Sequence, residues 1–412
     1  MDLGYTVTYE SKTVNFSKNK QTIFTGHRDS VTKLWMINLS LFNQDNSQAN
    51  PAVRINSIVE LVKYWHACFC FPPKSTFVRA LTKFLKVPGI QAHDVQKHLS
   101  NVIFTAFGHL DATKKNLKST KLMIGPKLKP TPQQHNIWME VHDISSKVHS
   151  DLTGALPTTG YDGSKYIAIF YCESKNYIHA VNVTSKKGPT LLNALKTALA
   201  FFESHKVDIS NIRMDNESSE TLKQFLRSTN TELELTPASQ HRRNKAERCI
   251  RTYKNHFISA TAGIDKECPI NQWPRFNKQI EITINLLRKS PTKSNISAYE
   301  DMFGAPYDFN KCPIAPLGIK VVAHIPPEER ASWAQHGIIG FYVGPAPEHY
   351  RCYQIYIPTT KGIRISDCLE WFPADILTTN IDAKLAALPL LPPPTPTNGG
   401  KQRVPATTTV IN

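Results

Sequence analysis

Three carboxylates occupy positions from which divalent cations could be held against a phosphodiester. Asp151 lies in HSDLTGALP, Asp215 in IRMDNESSE and Glu247 in HRRNKAERCIRTYKNH. Sixty-three residues separate the two aspartates, and 31 separate Asp215 from Glu247. Paired Mg²⁺ or Mn²⁺ ions about 4 Å apart need shared and separate carboxylate oxygens. One ion would activate the attacking oxygen, a water or a DNA 3′-hydroxyl, and the other would stabilise the leaving oxygen. A chain with 33 Asp and Glu offers such a triple by chance, and most carboxylates are simply solvated. Specificity therefore has to come from the flanking residues.

Around Glu247 those residues are basic. Arg242, Arg243, Lys245, Arg248, Arg251 and Lys254 put six cations in thirteen positions, opposed by Glu247 alone. Arg248, Arg251 and Lys254 recur at three-residue steps and share about one helical face, suited to phosphate contacts. The competing reading is an ordinary solvated face. Tyr253 could stack on a base, although a Tyr in such a helix is more often core.

The elements that must position these groups are legible in the periodicity. Residues 5–40 alternate polar and apolar and predict β-hairpins. Helices are expected over 55–69, 75–85 and 93–99, followed by a basic, Pro-bearing linker at 113–134. Strands are expected at 138–143 and 147–152 as one first-strand region, then at 166–174, 177–185, 209–214 and 232–236. Helices are expected at 191–202, opened by Pro189, and at 219–228, 244–262 and 276–287. Beyond 313, strands at 319–325, 337–344, 350–358 and 363–372 predict a small antiparallel barrel. There Trp333, Tyr350, Tyr353 and Trp371 are assigned to core before stacking, and Lys320, Arg351, Lys361 and Arg364 could meet DNA non-specifically. The tail carries LPLLPPPTPTNGG, a composition that resists packing.

The net charge of +16 makes a polyanion the leading partner class, with a merely basic soluble protein as the plain alternative. No apolar run reaches the ~18 residues of a membrane span, and the N-terminus has no apolar leader segment. The eight Cys are scattered, which favours reduced thiols in an intracellular protein over a disulfide framework.

DLTGALP resembles the D-L-x-G-x-x-P segment around the first acid of copia-type LTR-retrotransposon integrases. RMDNESSE and TPASQHRRNKAERCIRTYKNH resemble the segments around the second and third acids, and WAQHGIIGFYVGPAPEHYRCYQIYIP resembles the small β domain that follows. The spacing before Glu247 is shorter than in the related enzymes, Lys245 replaces the Gly that follows Asn there, and Glu217 replaces the Gly after Asp-Asn. The resemblance implies an α/β fold: an RNase H-like integrase core at 135–305, preceded by a β-hairpin connector (1–50) and a helical region (51–125). A small antiparallel β-barrel (313–373) and a Pro-rich disordered tail (374–412) would follow. It implies that Asp151, Asp215 and Glu247 are catalytic metal ligands for two Mg²⁺ or Mn²⁺ ions. Asn216 would shape the site, and Arg242, Arg243, Asn244, Lys245, Arg248, Arg251 and Lys254 would lie against DNA. The implied activity is 3′-end processing of element DNA and strand transfer into target DNA. The chain would act as a homo-oligomer in the nucleus, without a membrane. The alternative is a catalytically inactive or domesticated nucleic-acid-binding remnant. The related enzymes carry a His-His-Cys-Cys zinc module. His66, Cys68, Cys70, His93 and His98 are present, but no Cys-x-x-Cys follows them before the core, so no structural zinc is expected.

Overall fold

A computed structural model describes residues 5–9, 13–18, 21–28, 35–37, 55, 57–111, 147–214, 220–229, 231–235 and 245–372. The chain divides into two compact units, Met1–Asn50 and Pro51–Asn412. In the first, the alternating segments form an antiparallel meander of β1 (Tyr5–Tyr9), β2 (Thr13–Lys18), β3 (Gln21–Arg28) and β4 (Trp35–Ile37), paired in chain order.

The second unit opens with four helices. The apolar stripe of the first produces α1 (Ile58–Cys68), which starts where the Ser57 hydroxyl accepts the Glu60 N–H at 3.2 Å. Next come α2 (Lys74–Lys83), α3 (Ala92–His98) and α4 (Ile103–His109), the last absent from the sequence expectation.

A mixed five-stranded sheet follows. It contains β5 (Lys147–Leu152), β6 (Tyr166–Cys172), β7 (Tyr177–Val183), β8 (Asn211–Met214) and β9 (Glu232–Leu235), in the order β7-β6-β5-β8-β9. β5, β6 and β7 pair antiparallel with one another, whereas β8 runs parallel to both β5 and β9. Parallel neighbours need crossovers. These are α5 (Gly188–Ser204), with Pro189 in its first turn, and α6 (Glu220–Ser228). Two longer helices, α7 (Lys245–Ala262) and α8 (Trp273–Leu286), and the short α9 (Ala298–Phe303) complete this part.

Alternation along β6 explains why both of its faces are apolar. Ile167 and Ile169 pack with Cys249 and Tyr253 of α7 and with Trp273, Phe276 and Ile280 of α8. Ala168 and Phe170 pack on the other face with Ala194, Leu195 and Phe202 of α5 and Leu222 of α6. A strand covered on both sides reads as one continuous apolar run, as YIAIFYC does.

The C-terminal strands β10 (Lys320–His324), β11 (Gly337–Pro345), β12 (Tyr353–Ile357), β13 (Gly362–Ser366) and β14 (Leu369–Phe372) form an antiparallel sheet ordered β13-β12-β11-β10-β14. Its edge strands β13 and β14 are joined only by Asp367 and Cys368. Laid flat, the edges would be about 19 Å apart, farther than the ~11 Å a two-residue link can span. The sheet must therefore be rolled. Arg364 of β13 accordingly donates to the His324 carbonyl at the end of β10, at 2.9 Å. Among the described residues no ladder joins β13 to β14, so the expected barrel is rolled but open along that seam.

One apolar cluster crosses the limits expected near 125–135 and 305–313. It joins Ala67, Phe71 and Phe104 to Tyr253 and Phe276 and to Leu317, Phe341 and Tyr342. At its centre Gln279, wholly buried on α8, donates to the carbonyls of Cys68 at 2.9 Å and Ala315 at 2.8 Å, and accepts the Tyr342 hydroxyl at 2.7 Å. The expected linker at 113–134, the strand expected at 138–143 and the Pro-rich tail lie outside the described residues.

Candidate active site

Asp151 is the fifth residue of β5 and lies opposite Ile169 of β6. Directly opposed residues share a face, and Ile169 faces α7, so the half-buried Asp151 lies on the α7 side of the sheet. Its Oδ1 accepts the Leu152 N–H at 2.7 Å. Two residues earlier on the same face stands His149, almost wholly buried.

His149 belongs to a three-part clamp. Its Nε2 lies 2.9 Å from Oε2 of Glu173, just beyond β6, and the other Glu173 oxygen binds the Lys245 ammonium at the start of α7. Burial lowers the His149 pKa, and the nearby Arg213 and Lys147 charges lower it further, against the raising effect of Glu173. His149 is therefore a neutral ring donating Nε2–H, and the charge–charge partner of Glu173 is Lys245. For Glu173, burial favours protonation, but hydrogen bonds from Lys245 and His149 outweigh it and hold the carboxyl below its usual range. The clamp pins the first turn of α7, which carries Glu247, over the strand that carries Asp151. Two strand residues rise about 7 Å and two helical residues about 3 Å. The clamp thus stands two positions from each acid along its own element, with Asp151 half-buried and Glu247 exposed.

The floor beneath is also charged. Lys147, on β5, donates to Glu234 of β9 at 2.5 Å, and Arg213 of β8 pairs with the same carboxylate. Burial pushes the Glu234 pKa up, but the two cations prevail and hold it at about 2. On the α5 side of the sheet, Met214, the last residue of β8, lines a cavity of about 320 Å³ with Asp151, Ser150, Lys186, Ala168 and Leu195.

Of the residues singled out in the sequence, Asp215, Asn216, Arg242, Arg243 and Asn244 lie outside the described residues. Asp151 lies half-buried on β5, and Glu247 lies exposed in the first turn of α7. Among the described residues no three His, Cys, Asp or Glu side chains are gathered closely enough to hold a metal ion. Lys245, expected against DNA, is half exposed and pairs with Glu173, giving that half-buried carboxylate a counter-charge. Arg248, Arg251 and Lys254 are exposed on α7, but the stripe diverges. Arg251 borders a cleft against α2, while Lys254 borders an apolar cavity against residues 153–158. Tyr253 is core, its hydroxyl donating to Asn277 at 2.9 Å. Sequence reasoning missed His149 and Glu173: they are 24 residues apart, and no local pattern links them.

Elsewhere the chemistry-bearing residues serve packing. The Cys68 and Cys70 thiols are buried, and burial raises both pKa values, that of Cys70 to about 12. His66 accepts no charge, its pKa lowered by burial to about 4 while its Nε2 meets the Pro72 carbonyl at 2.7 Å. In the C-terminal sheet Tyr353 and Trp371 pack edge-on, 4.9 Å apart, as expected of core. Trp333 is instead fully exposed and Tyr350 largely so. Lys320 and Arg364 are engaged by Glu267 and Glu329.

No family model matches this chain, and no curated protein matches it. Among solved structures it is similar to a simian T-cell lymphotropic virus intasome in complex with PP2A regulatory subunit B56 gamma. The identity is 12%, over 57% of this chain and 83% of that one, with a TM-score of 0.29. It is also similar to the catalytic core domain of BIV integrase, at 10% identity over 39% of this chain and 95% of that one, again with a TM-score of 0.29. Likenesses this distant say nothing about activity, which has to be argued from the residues.

Proposed function

We propose that this chain is a metal-dependent polynucleotidyl transferase of the copia-type integrase class, with an RNase H-like core. It would process DNA 3′ ends and join them to target DNA. The observation that carries this reading is the His149–Glu173–Lys245 clamp, which sets the first turn of α7 beside Asp151. The mixed sheet supports it, with its central β5 flanked by one antiparallel and one parallel neighbour.

The donor chemistry fits a hard cation. The Nε2 of His149 is engaged by Glu173 and the nearby Cys249 thiol is buried with its pKa raised to about 11, whereas Asp151 and Glu247 offer carboxylate oxygens. Together with Asp215, these residues would hold two Mg²⁺ or Mn²⁺ ions, which when bound would supply nucleophile activation and leaving-group stabilisation. The protein's own part is positional: rigid strands fix Asp151, the clamp fixes Glu247, and exposed Arg248 and Arg251 hold the phosphate backbone in line. Element ends and target DNA would be the substrates, a homo-oligomer would bring two ends together, and the nucleus would be the place of action.

The test uses the full chain with blunt duplex oligonucleotides and supercoiled plasmid in Mn²⁺ or Mg²⁺. Metal-dependent nicking or joining is expected to fall at least ~100-fold in Asp151→Asn, Asp215→Asn or Glu247→Gln, with DNA affinity kept within a few-fold. DNA binding without cleavage or joining in either metal would instead identify a remnant that only binds.

A further inference from the structure

We infer that the cleft between α2, α7 and the end of α8 binds single-stranded nucleic acid, phosphates on its cations and a base on Phe84. The cleft holds about 550 Å³ and is bordered by Arg79, Lys83, Arg251, Arg288 and Lys289 against a single acid, Asp111. Arg79 and Lys83 are one helical turn apart on α2, so their heads stand on one face. Among the described residues neither has an ion-pair partner, nor has Arg251 or Lys289. Four cations held around one concavity repel one another, and a polyanion relieves that repulsion by releasing its counterions.

Two details favour a strand over a small anion. Arg288 is fixed: its Nε donates to the Asn176 carbonyl at 2.8 Å and its guanidinium lies 5.5 Å from the Tyr171 ring, a preset floor for a phosphate. Phe84 borders the same space, offering an aromatic stacking surface to a base. The volume admits a nucleotide or two but not a duplex ~20 Å across. The plain alternative is that Lys83 merely complements the C-terminal dipole of α2, which does not account for Arg79, Arg251 or Lys289. The inference goes beyond the function proposed above, since this binding needs neither metal nor the three acids.

The experiment is fluorescence anisotropy of the full chain in EDTA. A labelled strand of about 15 nucleotides is compared with its duplex across a salt series. Arg79→Ala/Lys83→Ala is expected to weaken single-strand binding at least ~10-fold and to flatten the log–log salt slope by about 1.4. Lys293→Ala/Lys311→Ala, which removes equal charge outside the cleft, is expected to change it less than ~2-fold. Phe84→Leu, which keeps apolar volume but loses the ring, is expected to weaken the strand more than the duplex. Thermal melts check that each variant is folded. Equal losses from the two lysine-containing pairs would overturn the assignment, as would equal effects on strand and duplex. It would equally fail if inorganic triphosphate raised the melting temperature through Arg79 and Lys83 while strand binding ignored them.

Discussion

At the scale of single residues, the clamp makes sharp demands. Glu173→Gln keeps the shape but removes the charge that Lys245 neutralises, while Glu173→Ala leaves the buried His149 Nε2 without an acceptor. Glu173→Ala is expected to cost about 1–3 kcal/mol in urea unfolding and to lower metal-dependent nicking, because the first turn of α7 is released. The pH dependence has a definite sign. A carboxyl whose folded pKa is depressed contributes stability above its unfolded value, about 4.3, and loses it as pH falls through the folded value. For Glu234 that window runs from about 4.3 down to about 2. Acid titration of Glu234→Gln should therefore converge on the wild type at the bottom of this range. The sequence made Asp151, Glu247 and the exposed Arg248 visible through their local motifs. It hid His149 and Glu173, because a buried hydrogen bond between residues 24 apart leaves no mark on spacing, and it hid the pairing of Lys245 with Glu173 for the same reason.

Among the elements, α4 and α7 approach so closely that a Cβ on Gly108 would lie 2.1 Å from the Asn255 carbonyl oxygen and 2.2 Å from the Ser259 hydroxyl. Gly108→Ala must push the helices apart and is expected to cost about 1–3 kcal/mol, read as a lower urea midpoint with an unchanged slope. Helices α1 and α7 also bury His66 and His256, whose pKa values burial lowers to about 4 and about 3. A buried imidazole kept neutral in the fold ionises first in the unfolded chain. Stability should therefore be full above about 6.5 and decline as pH falls toward 4, and His66→Gln should flatten that decline in chemical denaturation. Strand and helix positions were legible where period and length agreed, as in YIAIFYC and the stripe of α1. The missed elements are short. α4 has seven residues, including Phe107 and Gly108, and holds its place through α7 rather than through its own propensity. α9 did carry signals, a Ser297 hydroxyl accepting the Glu300 N–H and a left-handed Gly304 at its end.

Over the whole second unit, the anticipated succession of separate segments gives way to shared packing, since apolar patterning reveals that a face is buried but not what buries it. Gln279 decides much of this. Gln279→Ala would strand two carbonyls and the Tyr342 hydroxyl in the interior, and is expected to lower stability by about 3–5 kcal/mol, measured as a single cooperative shift rather than a separate early transition. Its three hydrogen bonds connect positions 68, 279, 315 and 342. That has a bearing on synthesis. A nascent chain that has exposed only its first helices and mixed sheet still lacks the strand that supplies Tyr342, so this interior cannot close until that strand has left the ribosome. Contacts of such long sequence separation form slowly. Until they do, the half-made protein presents the apolar sides of α1 and α8 to solvent, where chaperones would have to shield them.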